Sequence, residues 1–329
     1  IAGIAAVRSM SRPEFSTIPL DRIAASPRWD IHPFLGPEIP SDLTRSFVEA
    51  GILQPPLVVE RDDGMFEIID GRKRVQAARK TLDLSECPCL VVPPASLPQE
   101  ILALLLASQS CHAPLSPMET AYFLKICGDL MPPEEVAESF LSRLTGRNSI
   151  SLLPRYNRLL ALESGLQILV HQRFIAETMA FELLQLTADD RSKLARLFAD
   201  FQMGGSKQRR FFSLARDLAM RAETSITALL AQPPLHEILQ HQQMNAPQKV
   251  QNLLTVLQQM ATPSLYRDEQ AFKAGVAGLD LPASCTVQHS QAFETEEVHL
   301  FIKFDCFDQL RMSSTALLET LQDLGLSDT

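Results

Sequence analysis

A chain of 329 residues with 39 acidic against 30 basic side chains carries a net charge of −9. That balance excludes a molecule that holds nucleic acid by overall positive charge, so any such contact has to come from a local patch. At about 150 residues per domain the length accommodates two or three domains, and 46% hydrophobic content supplies core for them.

The opening run from Ile1 to Val7 is too short to span a bilayer and is followed by Arg8 and Arg12. Residues 1–15 therefore read as a tail, with no membrane segment and no secretory signal. The six cysteines, at positions 87, 89, 111, 127, 285 and 306, contain no C-x-x-C pair, and no histidine stands at zinc-finger spacing from them. Reduced thiols in a cytoplasmic protein are the expectation.

Residues 16–94 read as a small α/β unit. Residues 43–50 form a helix with Ser41 as its cap and Gly51 as its terminator. Residues 57–60 and 65–69 are strands joined by the turn Arg61-Asp62-Asp63-Gly64. The chain then breaks at Asp70-Gly71 and continues with Arg72, Lys73, Arg74 and helix formers. Strand, glycine turn and helix start is the local pattern. Three cations in the first turn oppose the helix dipole unless an anion neutralises them. Phosphate is the natural one, and a solvated basic turn is the bland alternative. Residues 87–92 form a further strand, Pro93-Pro94 ends the sheet, and residues 100–109 are helical.

From Ser116 the pattern is helical. Ser116-Pro117-Met118-Glu119 is a capping box with proline in its permitted place. A second helix opens at Pro133-Glu134-Glu135, and a third lies within residues 148–162 after a turn containing Gly146, the spacing of a helix-turn-helix. Pro154 is tolerated only in a first turn, which moves the start of that third helix to about Ser151. Arg147, Asn148, Arg155 and Asn157 become candidate DNA contacts, since arginine and asparagine are the usual partners of guanine and adenine. Lys207, Arg209 and Arg210 open a later helix after Gly204-Gly205 and suit phosphate-backbone contacts. For both groups the alternative is a solvated helical face.

Residues 223–262 are rich in glutamine and read as a helical connector. Beyond it, residues 284–289 and 298–304 are strands, with His289 and His299 expected to face each other, and residues 305–324 an amphipathic helix. A strand pair with one helix cannot bury its apolar surface alone, so this module should dimerise.

The segment from Gly51-Ile52-Leu53-Gln54-Pro55 to Val59, followed by Gly71-Arg72-Lys73-Arg74-Val75-Gln76-Ala77, resembles the paired N-terminal boxes of the ParB family. Gly71, Arg74 and Ala77 match the second box, while Arg72 and Lys73 replace its glutamate and first arginine. Glu134, Glu135, Ala137, Arg158, Leu159, Leu160 and Leu162 match the family's helix-turn-helix region. The resemblance implies an α+β protein in parts: tail 1–15, a nucleotide-binding domain related to sulfiredoxin at 16–112, an all-α helix-turn-helix domain at 113–222, a helical connector at 223–262 and a β-β-α dimerisation module at 263–329.

It also implies a CTP site with Mg²⁺, built from Gln54, Pro55, Gly71, Arg72, Lys73, Arg74, Gln109 and His112, with Gln109 as the metal ligand. Where the family has Glu, Asn and Arg in its next box, this chain has Ser108, Gln109 and His112. Ser108 supplies no carboxylate base and Mg²⁺ prefers carboxylate and phosphate oxygens, so at most weak CTP hydrolysis is expected. The implied activity is that of a dimeric, CTP-gated DNA clamp in chromosome or plasmid partition or related nucleoid and transcription control. Double-stranded DNA, a second copy of the chain and a ParA-type ATPase are its partners, and its place is the nucleoid. Two alternatives stay open: an adaptor or transcription regulator with a degenerate nucleotide site, and a small-molecule phosphotransferase of the same fold.

Overall fold

The computed structural model describes residues 12–24, 27–34, 36, 38–109, 114–279, 281, 284–290, 297–304 and 306. The chain divides into two compact units, residues 1–210 and 211–329.

The first unit opens with a five-stranded mixed sheet. Its strands are β1 (Glu14–Pro19), β2 (Ile23–Ala24), β3 (Leu57–Glu60), β4 (Phe66–Asp70) and β5 (Glu86–Val92), in the order β1-β5-β3-β4-β2. β1 begins within the stretch read as tail. β5 lies antiparallel to β1 and parallel to β3, β3 and β4 are antiparallel, and β2 runs parallel to β4. Val58, Phe66, Ile68, Cys87 and Cys89 form the sheet's share of a core that Ile18, Leu20, Ile23, Val75 and Ala78 complete. The run of buried residues along β3 and β4 shows that both faces of the sheet are covered.

Three helices belong to this part: α1 (Ser41–Ala50), α2 (Arg72–Lys80) and α3 (Pro98–Gln109). Ser41 is the first helical residue of α1 rather than its cap; Pro40 takes the cap position and makes no side-chain bond there. Gly51 ends the helix at φ 70°. α2 buries Val75, Ala77 and Ala78, and Arg79 near its end donates to the carbonyls of Leu20 at 2.6 Å and of Ile23, which ties the turn between β1 and β2 to the helix.

Helices fill the rest of the unit. They are α4 (Pro117–Leu130), α5 (Pro133–Val136), a π-helical turn (Ala137–Leu141), α6 (Ser142–Thr145), α7 (Leu152–Leu159), α8 (Ser164–His171), α9 (Glu177–Leu183) and α10 (Ala188–Asp200). The capping box at α4 is present, with Ser116 Oγ accepting from Glu119 N and Glu119 accepting from Ser116 N. α5, the π-helical turn and α6 follow without a break until Gly146, whose left-handed φ of 69° stops them. α7 begins at Leu152 with Pro154 in its first turn, where its missing N–H costs nothing. Phe123 and Phe140 meet edge to face at 5.3 Å. Buried Gln167 donates to the carbonyls of Leu160 and Leu162 and accepts from Tyr122 Oη, so its burial leaves no polar atom unsatisfied.

α11 (Gly205–Arg221) spans the boundary between the units. The second unit continues with α12 (Ile226–Leu230), α13 (Pro233–Gln240), α14 (Ala246–Ala261) and α15 (Pro263–Ala277), then the antiparallel pair β6 (Cys285–His289) and β7 (Val298–Ile302). α14 starts on a capping box of Asn245 and Gln248 and buries Val250, Leu253, Leu254 and Leu257. The strand register overturns the expected facing of the two histidines. His289 pairs with Val298 and Gln288 with His299, so the histidines lie on opposite faces, and His289 packs edge to face on Phe272 at 4.8 Å. The expected helix over residues 305–324 lies outside the described residues, apart from Cys306.

Candidate functional site

A cavity of about 780 Å³ opens in the first unit where the end of β4 turns into α2. Its floor is the basic turn. Gly71 takes φ 93°, in the left-handed region, and a Cβ there would stand 3.0 Å from Arg74 Nε and from Pro56 Cα. Glycine is needed both for the dihedral and for the close approach. The turn sends Arg72, Lys73 and Arg74 toward the cavity, and all three line it.

Each cation has protein partners. Arg74 pairs with Asp70 at 2.9 Å and donates to the carbonyls of Gln54 and Pro55, both at 3.2 Å. With both charged side chains largely shielded, the ion pair braces the turn itself, and the two carbonyl bonds tie it to the segment before β3. Arg72 pairs with Asp30 at 2.6 Å, and Lys73 donates to the carbonyls of Gly36 and, at 2.6 Å, of Glu38.

A further part of the wall comes from the start of α4 and the end of α8. Glu119, already holding Ser116 N at 2.7 Å, meets His32 Nδ1 at 2.6 Å. Burial works against the carboxylate charge, but the His32 and Ser116 hydrogen bonds outweigh it and bring the Glu119 pKa down to about 2. Burial also works against a charged His32, yet Glu119, with Asp70 and Asp30 beyond it, raises the His32 pKa above its ordinary value. Ser116 Oγ lies 2.9 Å from His171 Nδ1, and Arg173, at a left-handed φ of 64°, donates to the carbonyl of Pro114 at 2.9 Å. Trp29, Ile31, Leu43, Phe47 and Leu53 supply apolar lining.

The cavity brings together Gln54, Gly71, Arg72, Lys73, Arg74 and Gln109 from the residues picked out in the sequence; Pro55 contributes its carbonyl to Arg74. His112 lies outside the described residues. Trp29, Asp30, His32, His171 and Arg173 carry no site motif in the sequence, and Glu119 shows there only as a capping-box residue. Only the unusual Trp29-Asp30-Ile31-His32 run, holding the single tryptophan, stood as a signal there.

A volume of this size, with Arg72, Lys73 and Arg74 and several apolar side chains in its lining, fits a nucleoside polyphosphate. Mg²⁺ is served less well. Gln109 offers an amide oxygen, Asp30 and Asp70 are engaged by arginines, and among the described residues no group of three or more His, Cys, Asp or Glu could hold a metal.

The candidate DNA contacts fall in two places. Arg147 and Asn148 are exposed just after Gly146; Arg155 and Asn157 are exposed on α7, with the Arg155 guanidinium 4.0 Å from the Phe181 ring centroid. Lys207, Arg209 and Arg210 are exposed on the first turns of α11.

A family model described as the ParB N-terminal domain matches residues 5–107, the stretch holding the sheet, the basic turn and most of α3. Over that stretch the chain is similar to the ParB N-terminal domain. This ParB-like chain is 29% identical over 160 residues to a probable chromosome-partitioning protein ParB of Xylella fastidiosa (strain 9a5c), covering 49% of each chain. It is 28% identical over 149 residues to a nucleoid occlusion protein of Listeria monocytogenes serotype 4a (strain HCC23), covering 45% of this chain and 50% of that one. The chain thus spans about half the length of the curated relatives it matches.

Among solved structures, a C-terminally truncated chromosome-partitioning protein ParB from Caulobacter crescentus complexed to the centromeric parS site aligns over 59% of this chain and 96% of its own, at TM-score 0.34 and 19% identity. The same protein complexed with CTP-γ-S aligns over 56% and 98%, at TM-score 0.24 and 23% identity. Among the described residues no helix is long and apolar enough to cross a membrane.

Proposed function

We propose that this ParB-like chain is a dimeric DNA-binding protein whose N-terminal cavity binds CTP and whose hold on DNA depends on that binding. Its role would be chromosome or plasmid partition or nucleoid occlusion. The observation that carries the reading is the glycine turn that aims Arg72 and Lys73 into a cavity of nucleotide size. The names of the sequence relatives supply the setting.

The basic turn would take the phosphates by charge and the α2 N–H groups by hydrogen bond. Mg²⁺, if carried in with the nucleotide, would be held mainly by phosphate oxygens, with the Gln109 amide as the protein's share, and would neutralise their charge. Ser108 Oγ already donates to the Leu105 carbonyl at 2.7 Å and is no base, which supports binding with weak hydrolysis at most. The exposed end of α7 would read base edges, and Lys207, Arg209 and Arg210 would add phosphate contacts. Dimerisation would rest on the second unit, where Val298, Leu300 and Phe301 stand exposed on β7. A ParA-type ATPase is a partner of the same proposal.

One observation favours a second reading, an adaptor whose nucleotide site has decayed: all three cations already have protein partners. Genomic footprinting of bound DNA with and without CTP separates the two. The clamp reading expects protection of discrete sites with two-fold symmetry, as a dimer demands, and a protected length that changes with CTP. Protection indifferent to CTP would leave the adaptor, and protection spread evenly over all sequences would contradict site-specific binding altogether.

A further inference from the structure

The partners of the three cations come from different places. Arg74 is held by Asp70, Gln54 and Pro55, which frame the turn itself. Arg72 and Lys73 are both held from a single other segment, by Asp30 and by the carbonyls of Gly36 and Glu38. That segment is a strap. Trp29 anchors it, buried with its Nε1 donating to Glu67 at 3.3 Å. Farther along, His32 reaches Glu119 on α4, and the Phe34 ring lies 4.9 Å from His171 on α8 and 6.1 Å from Tyr122 on α4.

A carboxylate and a phosphate oxygen present the same kind of acceptor to a guanidinium. Asp30 already sits on the cavity wall in that role, on the cation at the very start of α2. We propose that Asp30 is a built-in competitor for polyphosphate. It occupies the Arg72 arm of the site, and phosphates entering the cavity displace it together with the strap it belongs to. This rests on the nucleotide reading given above.

Two consequences follow from the contacts. The apparent affinity of the site is reduced by the fraction of molecules in which the strap is closed, which sets a threshold against weakly charged anions. Because the same strap touches α4 and α8, its release passes the state of the cavity to the helices, through discrete contacts that are either made or lost.

The strap carries the chain's single tryptophan, so its own fluorescence reports on it. Full-length wild type and Asp30→Asn are titrated with tripolyphosphate and with CTP while Trp29 emission is followed. Asparagine keeps the acceptor that Asp30 Oδ1 offers to His32 N at 3.0 Å, so the local turn survives and only the charge is lost. The expected result is binding about fivefold tighter in Asp30→Asn for both ligands, the equivalent of one partly exposed ion pair. Trp29 emission shifts on ligand addition in wild type, and part of that shift is present in the variant before any ligand.

Equal or weaker binding in Asp30→Asn, with wild type binding normally, overturns the competitor and leaves the nucleotide site standing. Emission unmoved by saturating ligand overturns displacement of the strap. No binding of either ligand to either protein overturns both this inference and the nucleotide reading.

Discussion

At the scale of single residues the most exposed test of the site is its pH dependence. Folding raises the His32 pKa above 6.5, so the stabilisation from its proton is complete below 6.5 and is lost as pH rises through the raised value. Folding lowers the Glu119 pKa from 4.5 to about 2, so its contribution is complete above 4.5 and is lost as pH falls toward 2. The pair is therefore worth most between 4.5 and 6.5. His32→Gln keeps a donor for Glu119 but cannot titrate. Urea denaturation should show wild type ahead by on the order of 1 kcal/mol near about pH 5.5, the gap closing toward about pH 9. A gap that stays constant or widens on the alkaline side would mean that the 2.6 Å contact carries no charge.

At the scale of elements, what could be read from the sequence was what is local. The turn into α2 was legible because Gly71 and its three cations are contiguous, and the α4 start was legible because a capping box spans four residues. β1 has no counterpart among the strands expected from the sequence, because it is an edge strand whose partners lie far along the chain, Glu14 opposite Val91 and Pro19 opposite Glu86. Ser41 was misread because a serine next to proline carries the cap signal, while Pro40 takes the cap position itself. The strap was invisible for a stronger reason: Asp30 meets Arg72, and His32 meets Glu119 at a separation of 87, with no short-range pattern to announce either. The His289 and His299 error came from counting both as strand residues without a register, which shifts by one and sends them to opposite faces.

The same scale decides the DNA proposal. The end of α7 and the start of α11 offer exposed cations of different character. Arg155 stacks on Phe181, so it is presented in one orientation, whereas Lys207, Arg209 and Arg210 stand on an exposed helix start. Arg155→Ala should weaken binding to a preferred site by about 1–3 kcal/mol and reduce discrimination between sequences. Arg209→Ala should weaken all sequences alike and lower the salt slope by about one. Gel shifts across a salt series measure both, and identical behaviour of the two variants on random and genomic fragments would remove the reading of α7 as the base-contacting helix.

At the scale of the molecule, a net charge of −9 and a compact basic turn belong to one design. An acidic surface repels polyanions in general, so binding has to be concentrated where cations are set against a cavity. The stretch similar to the ParB N-terminal domain supplies the basic turn and α4 and α8 supply the rest of the wall, and the family likeness is readable because two short boxes, Gly51 to Val59 and Gly71 to Ala77, carry it. The depth and lining of the cavity were not readable, since Trp29, Glu119 and His171 reach it from three distant stretches. The central claim is that the basic turn grips the phosphates of a nucleotide. Isothermal titration of the full chain with CTP tests it, beside Lys73→Ala, whose cation bonds the strap and Gln76, not the Asp70, Gln54 and Pro55 groups that frame the turn. Micromolar binding at one site per chain, weakened at least about tenfold by Lys73→Ala, is the expected result. No heat with CTP, ATP or GTP, or CTP binding untouched by the substitution, would contradict it.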